Sequence, residues 1–253
     1  MFYITAFILG SIWGSFSNVC IKRLPRNLSI SGRSYCLTCK KQIKWFDNIP
    51  ILSFIFLKAK CRNCSAKIDN QYFLVELISA ISFLIIVFFF GVTLESLLLI
   101  ILSIFFIIIY FIDLEHYIIP NELTYTLMVI GFLKTYFTDA NSFMFPDYFQ
   151  SVIGGLMGFL IVWSIIFVYK KLKNTEGMGL GDAKFLSALG FWFGWISLPF
   201  ILIFSSIIAL SFSIPSLIKK TKTMSTQIPF GPYLILGCLL YLILINEIQK
   251  LLT

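Results

Sequence analysis

Residues Phe185 to Ile218 read FLSALGFWFGWISLPFILIFSSIIALSFSIPSLI, a run of 34 positions without a charge. As one helix it would be roughly 51 Å long at 1.5 Å per residue, too long for a hydrocarbon core of about 30 Å. The run therefore predicts two spans, about 183–193 and about 196–216, with a turn near Gly194. Further uncharged runs lie at Leu77 to Leu94, Ser96 to Ile112, Tyr148 to Tyr169 and Thr223 to Asn246. Stretches of about 18 or more apolar residues read as membrane helices. Met1 to Ile21 is also apolar, but it lacks the basic start of a secretory signal, and basic residues follow it. It is expected to be a retained first span. Only 13% of residues are charged and mean hydropathy is +0.91, which argues against a soluble domain with an oversized core.

The net charge of +8 could suggest a nucleic-acid partner, but its distribution argues against one. Lys22 to Lys67, Lys170 to Lys184 and Lys219 to Lys222 hold 18 of the 20 basic residues, leaving Lys134 and Lys250 elsewhere. Basic loops stay on the cytoplasmic side and attract acidic lipid headgroups. If all three stretches are cytoplasmic, an even number of spans separates each pair. Four fit between Lys67 and Lys170, at about 72–91, 94–112, 122–137 and 149–169. With a last span at about 230–248, the total is eight and both termini lie outside. The expected fold is an all-α polytopic membrane bundle of about eight transmembrane helices with a small cytoplasmic zinc-binding loop domain. Its expected divisions are a first helix at 1–21, a cysteine-bearing loop at 22–70 and a polytopic domain at 71–253.

Other sequence features fit this layout. The outer loop from Asp139 to Asp147 is acidic and aromatic, and Phe191, Trp192, Phe193 and Trp195 are expected at the membrane interface. Gly10/Gly14, Gly154/Gly158 and Gly190/Gly194 are small residues four apart, which lets helices approach closely. The fourth and sixth spans are short. Short spans thin the bilayer locally, which would admit water beside them.

Cys36-Leu-Thr-Cys39 and Cys61-Arg-Asn-Cys64 lie in the first basic loop, with 21 residues between the pairs. Two such pairs read as a zinc site, and four thiolates close a tetrahedral, structural Zn²⁺ site. Disulfides, other redox use and free thiols are the alternatives, and a reducing cytoplasm disfavours the first. A loop with little apolar core needs a staple of this kind. Cys20 and Cys238 read as buried packing residues.

Two aspartates stand at the edges of spans, where carboxylates are costly and usually functional. Asp113 ends the third span, at a helix C-terminus that disfavours negative charge. Its bland reading is an interfacial carboxylate reaching water. Asp182 lies in Gly177-Met-Gly179-Leu-Gly181-Asp182-Ala-Lys184, directly before the sixth span, where it could serve only as an N-cap. Capping alone does not call for three glycines, which remove bulk and permit positive φ. Gly179, Gly181 and Lys184 are the candidates for a loop that a substrate backbone approaches. Paired, the two aspartates would share a proton and act as general base and general acid on a peptide bond. A bound cation is the other chemistry that two carboxylates allow. His116 is the single histidine; a serine triad is unattractive and a His-Glu-x-x-His zinc protease signature is absent.

An ordered set of motifs runs from about residue 10 to 235. It comprises Gly14-Ser-Phe-Ser-Asn18 with Arg23-Leu-Pro25, the cysteine pairs flanking Asp47-Asn-Ile-Pro50, and Tyr72-Phe-Leu-Val-Glu76. Asp113 with Ile119-Pro120-Asn121, Gly179-Leu-Gly181-Asp182, and Pro229-Phe-Gly231-Pro232 follow in order. This ordered set resembles the type IV prepilin peptidase family. Cys20 and Lys22 depart from the family's usual aliphatic residue and Tyr. The resemblance implies a bacterial inner-membrane aspartyl protease with Asp113 and Asp182 catalytic at the cytoplasmic face. Its substrates would be prepilins or pilin-like proteins, cleaved after a glycine that ends a short basic leader. It also implies methylation of the new N-terminus from S-adenosylmethionine, with Glu76 a candidate for that site or simply an interfacial carboxylate. A methyltransferase alone, or a non-enzymatic zinc-stabilised scaffold or transporter subunit, are the competing readings.

Overall fold

The computed structural model describes residues 1–138, 144–173, 179–218 and 228–252. Most of the acidic outer loop, Gly177 and the basic stretch Lys219 to Lys222 lie outside the described residues. The chain forms two compact units, Met1–Ile108 and Ile109–Thr253.

The first unit contains α1 (Phe2–Arg23), the short α2 (Leu52–Phe56), α3 (Asn70–Phe90) and the first part of α4 (Leu94–His116). Helices α1 and α3 pack through glycines on α1. A Cβ at Gly10 would come within 2.7 Å of Ala80 Cα, and one at Gly14 within 2.6 Å of Glu76 Cα. Polar links hold the same pair at one end: Asn18 Nδ2 donates to the Tyr72 carbonyl at 3.0 Å and Lys22 Nζ to Gln71 Oε1 at 2.7 Å. Asp69 caps α3 by accepting from the Gln71 N–H at 3.0 Å, and α3 stops at Gly91, whose φ of 65° suits only glycine well. Thr93 and Ser96 exchange side-chain and backbone hydrogen bonds at the start of α4.

The second unit contains the end of α4, α5 (Asn121–Leu133), α6 (Tyr148–Lys173), α7 (Leu180–Phe193), α8 (Ser197–Ile218) and α9 (Gly231–Leu252). Helix α7 is its centre: ten of its fourteen residues are buried, and it packs on α5, α6, α8 and α9. Gly154 and Gly158 let α6 lie backbone to backbone on α7, against Gly190 and the Leu186 carbonyl. Ser187 Oγ donates to the Gly155 carbonyl at 2.7 Å, which satisfies a hydroxyl that lipid could not.

The turn expected near Gly194 is present: α7 ends at Phe193 and Gly194 takes φ 76°. The aromatic expectation there is corrected in part. Trp192 and Phe193 are 0% and 3% exposed, so they are core residues, and Trp192 Nε1 donates to the Leu127 carbonyl at 2.9 Å. An apolar helix sheathed by protein has the same hydropathy as one sheathed by lipid, so the sequence could not separate the two. For the same reason the shortness of α7 is not set against lipid. Of the two short helices, α7 exposes Leu180 at its first position, while α5 exposes Tyr125, Val129 and Leu133 along its length, where a thinned bilayer could meet it.

Each of the eight expected spans coincides with a helix. Five helices among the described residues are long and apolar enough to cross a membrane: α1, α3, α4, α6 and α8. Helix α9 contributes a shorter apolar stretch, Gly231–Ile245.

Candidate active site

Asp113 and Asp182 come together in the second unit. Asp113 is 4% exposed and Asp182 8%, and the charge of Asp113 acts on Asp182. Asp113 lies one turn before the end of α4, which closes with Tyr117 N–H donating to the Asp113 carbonyl at 2.9 Å and Tyr117 turning to φ 57°. The unfavourable helix C-terminus is offset from another element. Asp113 Oδ2 accepts the Gly231 N–H at 2.9 Å, one of the free amides at the start of α9.

Asp182 is not the N-cap of α7. That position is Gly179, with φ −79°, and Asp182 is the third residue of the helix. Gly179 has no side chain, so only half of a capping box forms: Asp182 Oδ2 accepts the Gly179 N–H at 3.3 Å. Both carboxylates therefore sit at helix N-termini, each accepting a glycine amide.

Gly181 and Gly231 serve space rather than positive φ. A Cβ on Gly181 would stand 3.2 Å from Ile119 Cβ, and one on Gly231 would stand 2.8 Å from Asp113 Oδ2 and 3.2 Å from Ile119 Cδ1. Ile119 thus lies against the glycine beside each aspartate. A Cβ on Gly179 would meet Asp182 Oδ2 at an ordinary 3.6 Å and otherwise open space. Lys184 Nζ donates to Asn121 Oδ1 at 2.7 Å and lies 5.2 Å over the Tyr125 ring. It joins the two aspartate motifs. His116 forms no hydrogen bond through Nε2 among the described residues, and its nearest carboxylate is Glu115 at 3.7 Å.

Gly231 was not among the candidate site residues. Its signal in the sequence was its place in the motif Pro229-Phe-Gly231-Pro232. Gly231→Ala is expected to push the Asp113 carboxyl aside and lower turnover about 100-fold, the usual result of misplacing a catalytic group by about 1 Å. Gly179→Ala, with room for its methyl, should leave the fold unchanged. Thermal melts of both variants beside their turnover numbers check the contrast.

The cysteine loop belongs to the first unit. Its four sulfurs lie within 4.8 Å of one another, and Cys36 and Cys64 are 3.8 Å apart. Zinc–sulfur bonds of about 2.3 Å give a tetrahedral edge of about 3.8 Å, so the residues fit that ion. Each pair is built as the same turn. Lys40 N–H donates to the Cys36 carbonyl and Ser65 N–H to the Cys61 carbonyl, with Lys40 and Ser65 both at φ 56°. Amides of Cys39 and Thr38 hold the Cys36 thiol down to about 6. Asp47 binds Arg62 through both carboxylate oxygens, at 2.6–3.0 Å, which holds Asp47 below the usual carboxylate range.

Glu76 is buried beside this loop. Its Oε2 accepts the Ile51 N–H at 2.7 Å, and Leu52 N–H donates to the Pro50 carbonyl at 2.6 Å. Ile51 has φ 64° and ψ −54°, a rare γ-turn that is strained for a β-branched residue. Glu76, Asn18 and Tyr72 also line a cavity of about 430 Å³ under the cysteine turns, and Asn18 Oδ1 is buried with no partner among the described residues.

Residues 8–90 match the bacterial peptidase A24 N-terminal domain, and residues 100–214 match the type IV leader peptidase family. Over 260 residues the sequence is 32% identical to the prepilin leader peptidase/N-methyltransferase of Aeromonas salmonicida, covering 92% of this chain and 88% of that protein. The chain belongs to the type IV leader peptidase family. The family member of Vibrio cholerae is 33% identical over 91% of this chain and 92% of its own, and that of Pseudomonas aeruginosa 30% over 92% and 87%. Both carry the same name. No solved structure matches.

Proposed function

We propose that this protein removes the leader from type IV prepilins or pilin-like proteins by aspartyl protease chemistry, with Asp113 and Asp182 as the catalytic pair. The observation that carries the proposal is two buried carboxylates on distant segments, whose neighbouring glycines Gly181 and Gly231 both lie against Ile119, in a chain similar over 92% of its length to a named prepilin leader peptidase. One carboxylate takes a proton from water while the water oxygen attacks the scissile carbonyl carbon. The other, protonated, donates to the carbonyl oxygen. Collapse of the gem-diol breaks the C–N bond, and a proton goes to the leaving amine. The pair titrates as a unit, so neither role belongs to one residue. In this reading the chemistry lies at the cytoplasmic face of the bacterial inner membrane, with eight crossings and both termini outside; the distribution of basic residues supports it.

Incubating the purified protein with a synthetic prepilin tests the reading. A product shortened by the leader is expected, and an unchanged substrate would overturn it.

The relatives' second activity fits the cavity at Glu76. S-adenosylmethionine supplies an electrophilic methyl group when bound, and it carries positive charge at sulfur and at its amine. Glu76 and the unpartnered Asn18 Oδ1 offer acceptors to such a cation. Glu76→Gln keeps an oxygen for the Ile51 amide but loses the charge. It is expected to weaken S-adenosylmethionine binding about 10-fold or more, the worth of a charged hydrogen bond. Equilibrium dialysis reads that loss without any turnover, while leader cleavage stays at the wild-type rate. Unchanged binding would remove Glu76 from the cofactor site.

A further inference from the structure

The segment from Trp45 to Phe56 folds with its largest apolar side chains outward. It comprises a 3-10 turn at Trp45–Asn48, the strained turn at Ile51 and helix α2. Its inner face is packed, and Ser53 and Asp47 have partners. Ser53 Oγ donates to the Phe46 carbonyl at 2.9 Å, Asp47 is paired with Arg62, and Phe54 stacks on Phe73 with ring centres 5.2 Å apart. Yet Trp45 and Phe56 are each 80% exposed and Ile55 is 57% exposed, with Leu52 beside them half exposed. Large apolar side chains this exposed, within one segment of twelve residues, mark an interaction surface.

Two observations identify what covers it. First, the patch is continuous with the lipid-facing side of a membrane helix. A groove of about 1160 Å³ is lined on one side by Ile8, Ile12 and Phe16 of α1, all exposed, and on the other by Trp45, Ile49 and Leu52. Second, the rim is basic. Arg33 and Lys44 line the groove, and Lys40, Lys41, Lys58 and Lys60 are exposed on either side of the segment in the chain. Residues 22–67 contain 11 basic side chains and one acid, Asp47, which Arg62 already neutralises. A second copy of this chain would set two such rims against each other, and the repulsion disfavours that partner. An exposed tryptophan and phenylalanine, exposed aliphatic residues between them in the chain and lysines on either side suit the boundary between headgroups and acyl chains.

We propose that residues 45–56 are an interfacial anchor that dips into an anionic phospholipid leaflet, so that the cysteine domain lies on the membrane rather than standing free in water. Each lysine near such a surface is attracted by the negative potential of the leaflet. The buried Glu76 carboxylate sets the anchor's angle by holding the Ile51 turn.

The test uses full-length protein in vesicles of phosphatidylglycerol and phosphatidylcholine, with no substrate present. Subtracting the emission of Trp45→Phe from that of the wild type isolates Trp45 among the five tryptophans. Expected are a blue-shifted maximum and loss of most of that emission when the lipids carry bromine on their acyl chains. Phe56→Asp, at an exposed position that does not burden the fold, should shift the maximum red and reduce the quenching several-fold. A water-like maximum that acrylamide quenches and bromolipids do not would overturn the proposal. So would quenching that appears only after an apolar peptide is added, which would make the patch a peptide site. Emission that changes with protein density in the vesicle would assign it to a second copy and equally overturn it.

Discussion

Asp113→Asn and Asp182→Asn are each expected to lower leader cleavage by about 1,000-fold or more, the scale of losing a positioned general acid or base. Asn is close to Asp in shape, and its carbonyl oxygen can still accept the amide that each carboxylate accepts now. For residue 113 that is the Gly231 N–H at 2.9 Å, and for residue 182 the Gly179 N–H at 3.3 Å. Both variants should therefore fold, insert and melt like the wild type while losing the proton chemistry. The double variant should be little worse than either single one, because two groups that handle one proton fail together. Cleavage of a synthetic prepilin at saturating substrate gives the comparison. A single variant with near-full activity would break the pairing. Losses that multiply in the double variant would mean that the two residues act separately.

What the sequence revealed and what it concealed follow from what hydropathy measures. Uncharged length shows where helices lie, so the 34-residue run from Phe185 divided correctly at Gly194. It carries no information on which helices touch lipid. The buried Trp192, at the heart of α7, was therefore expected at an interface. The start of α7 was expected near residue 183 and lies at Leu180. Gly179-Leu-Gly181 resembles a loop, yet glycine costs less in a first turn, whose amides have no helical partner in any case. That shift moved Asp182 from ahead of the helix into its first turn. The pair of aspartates was legible because carboxylates at the ends of apolar runs are rare. The contact of Gly231 with Asp113 was not, because it spans 118 positions and glycine carries no chemistry of its own. The repeated turn at the two cysteine pairs was hidden for a further reason: Lys40 and Ser65 take positive φ without the glycine that usually announces it.

The second large effect is expected at those turns. Cys36→Ser combined with Cys61→Ser removes one thiolate from each pair and should take bound zinc from one ion per chain to none. Structural zinc in small domains is worth about 10–16 kcal/mol, far more than a loop with so little buried apolar surface can replace. Within 22–70 the buried side chains are few; Ser53 is one, at 9% exposure. Without the ion, the loop should open and trypsin should cut at Lys40, Lys41, Lys58 and Lys60, whose side chains are exposed but whose backbone is held in the folded turns. The helices on either side should persist. Helices α1 and α3 meet through Gly10 and Gly14, contacts that owe nothing to the metal. Helical circular dichroism should therefore fall only slightly while protection of the loop is lost. Metal analysis and limited proteolysis of protein purified under reducing conditions read both outcomes. A reduced wild-type chain that resists trypsin with no metal bound would exclude the zinc site. A double variant that keeps its zinc would mean that other ligands hold it.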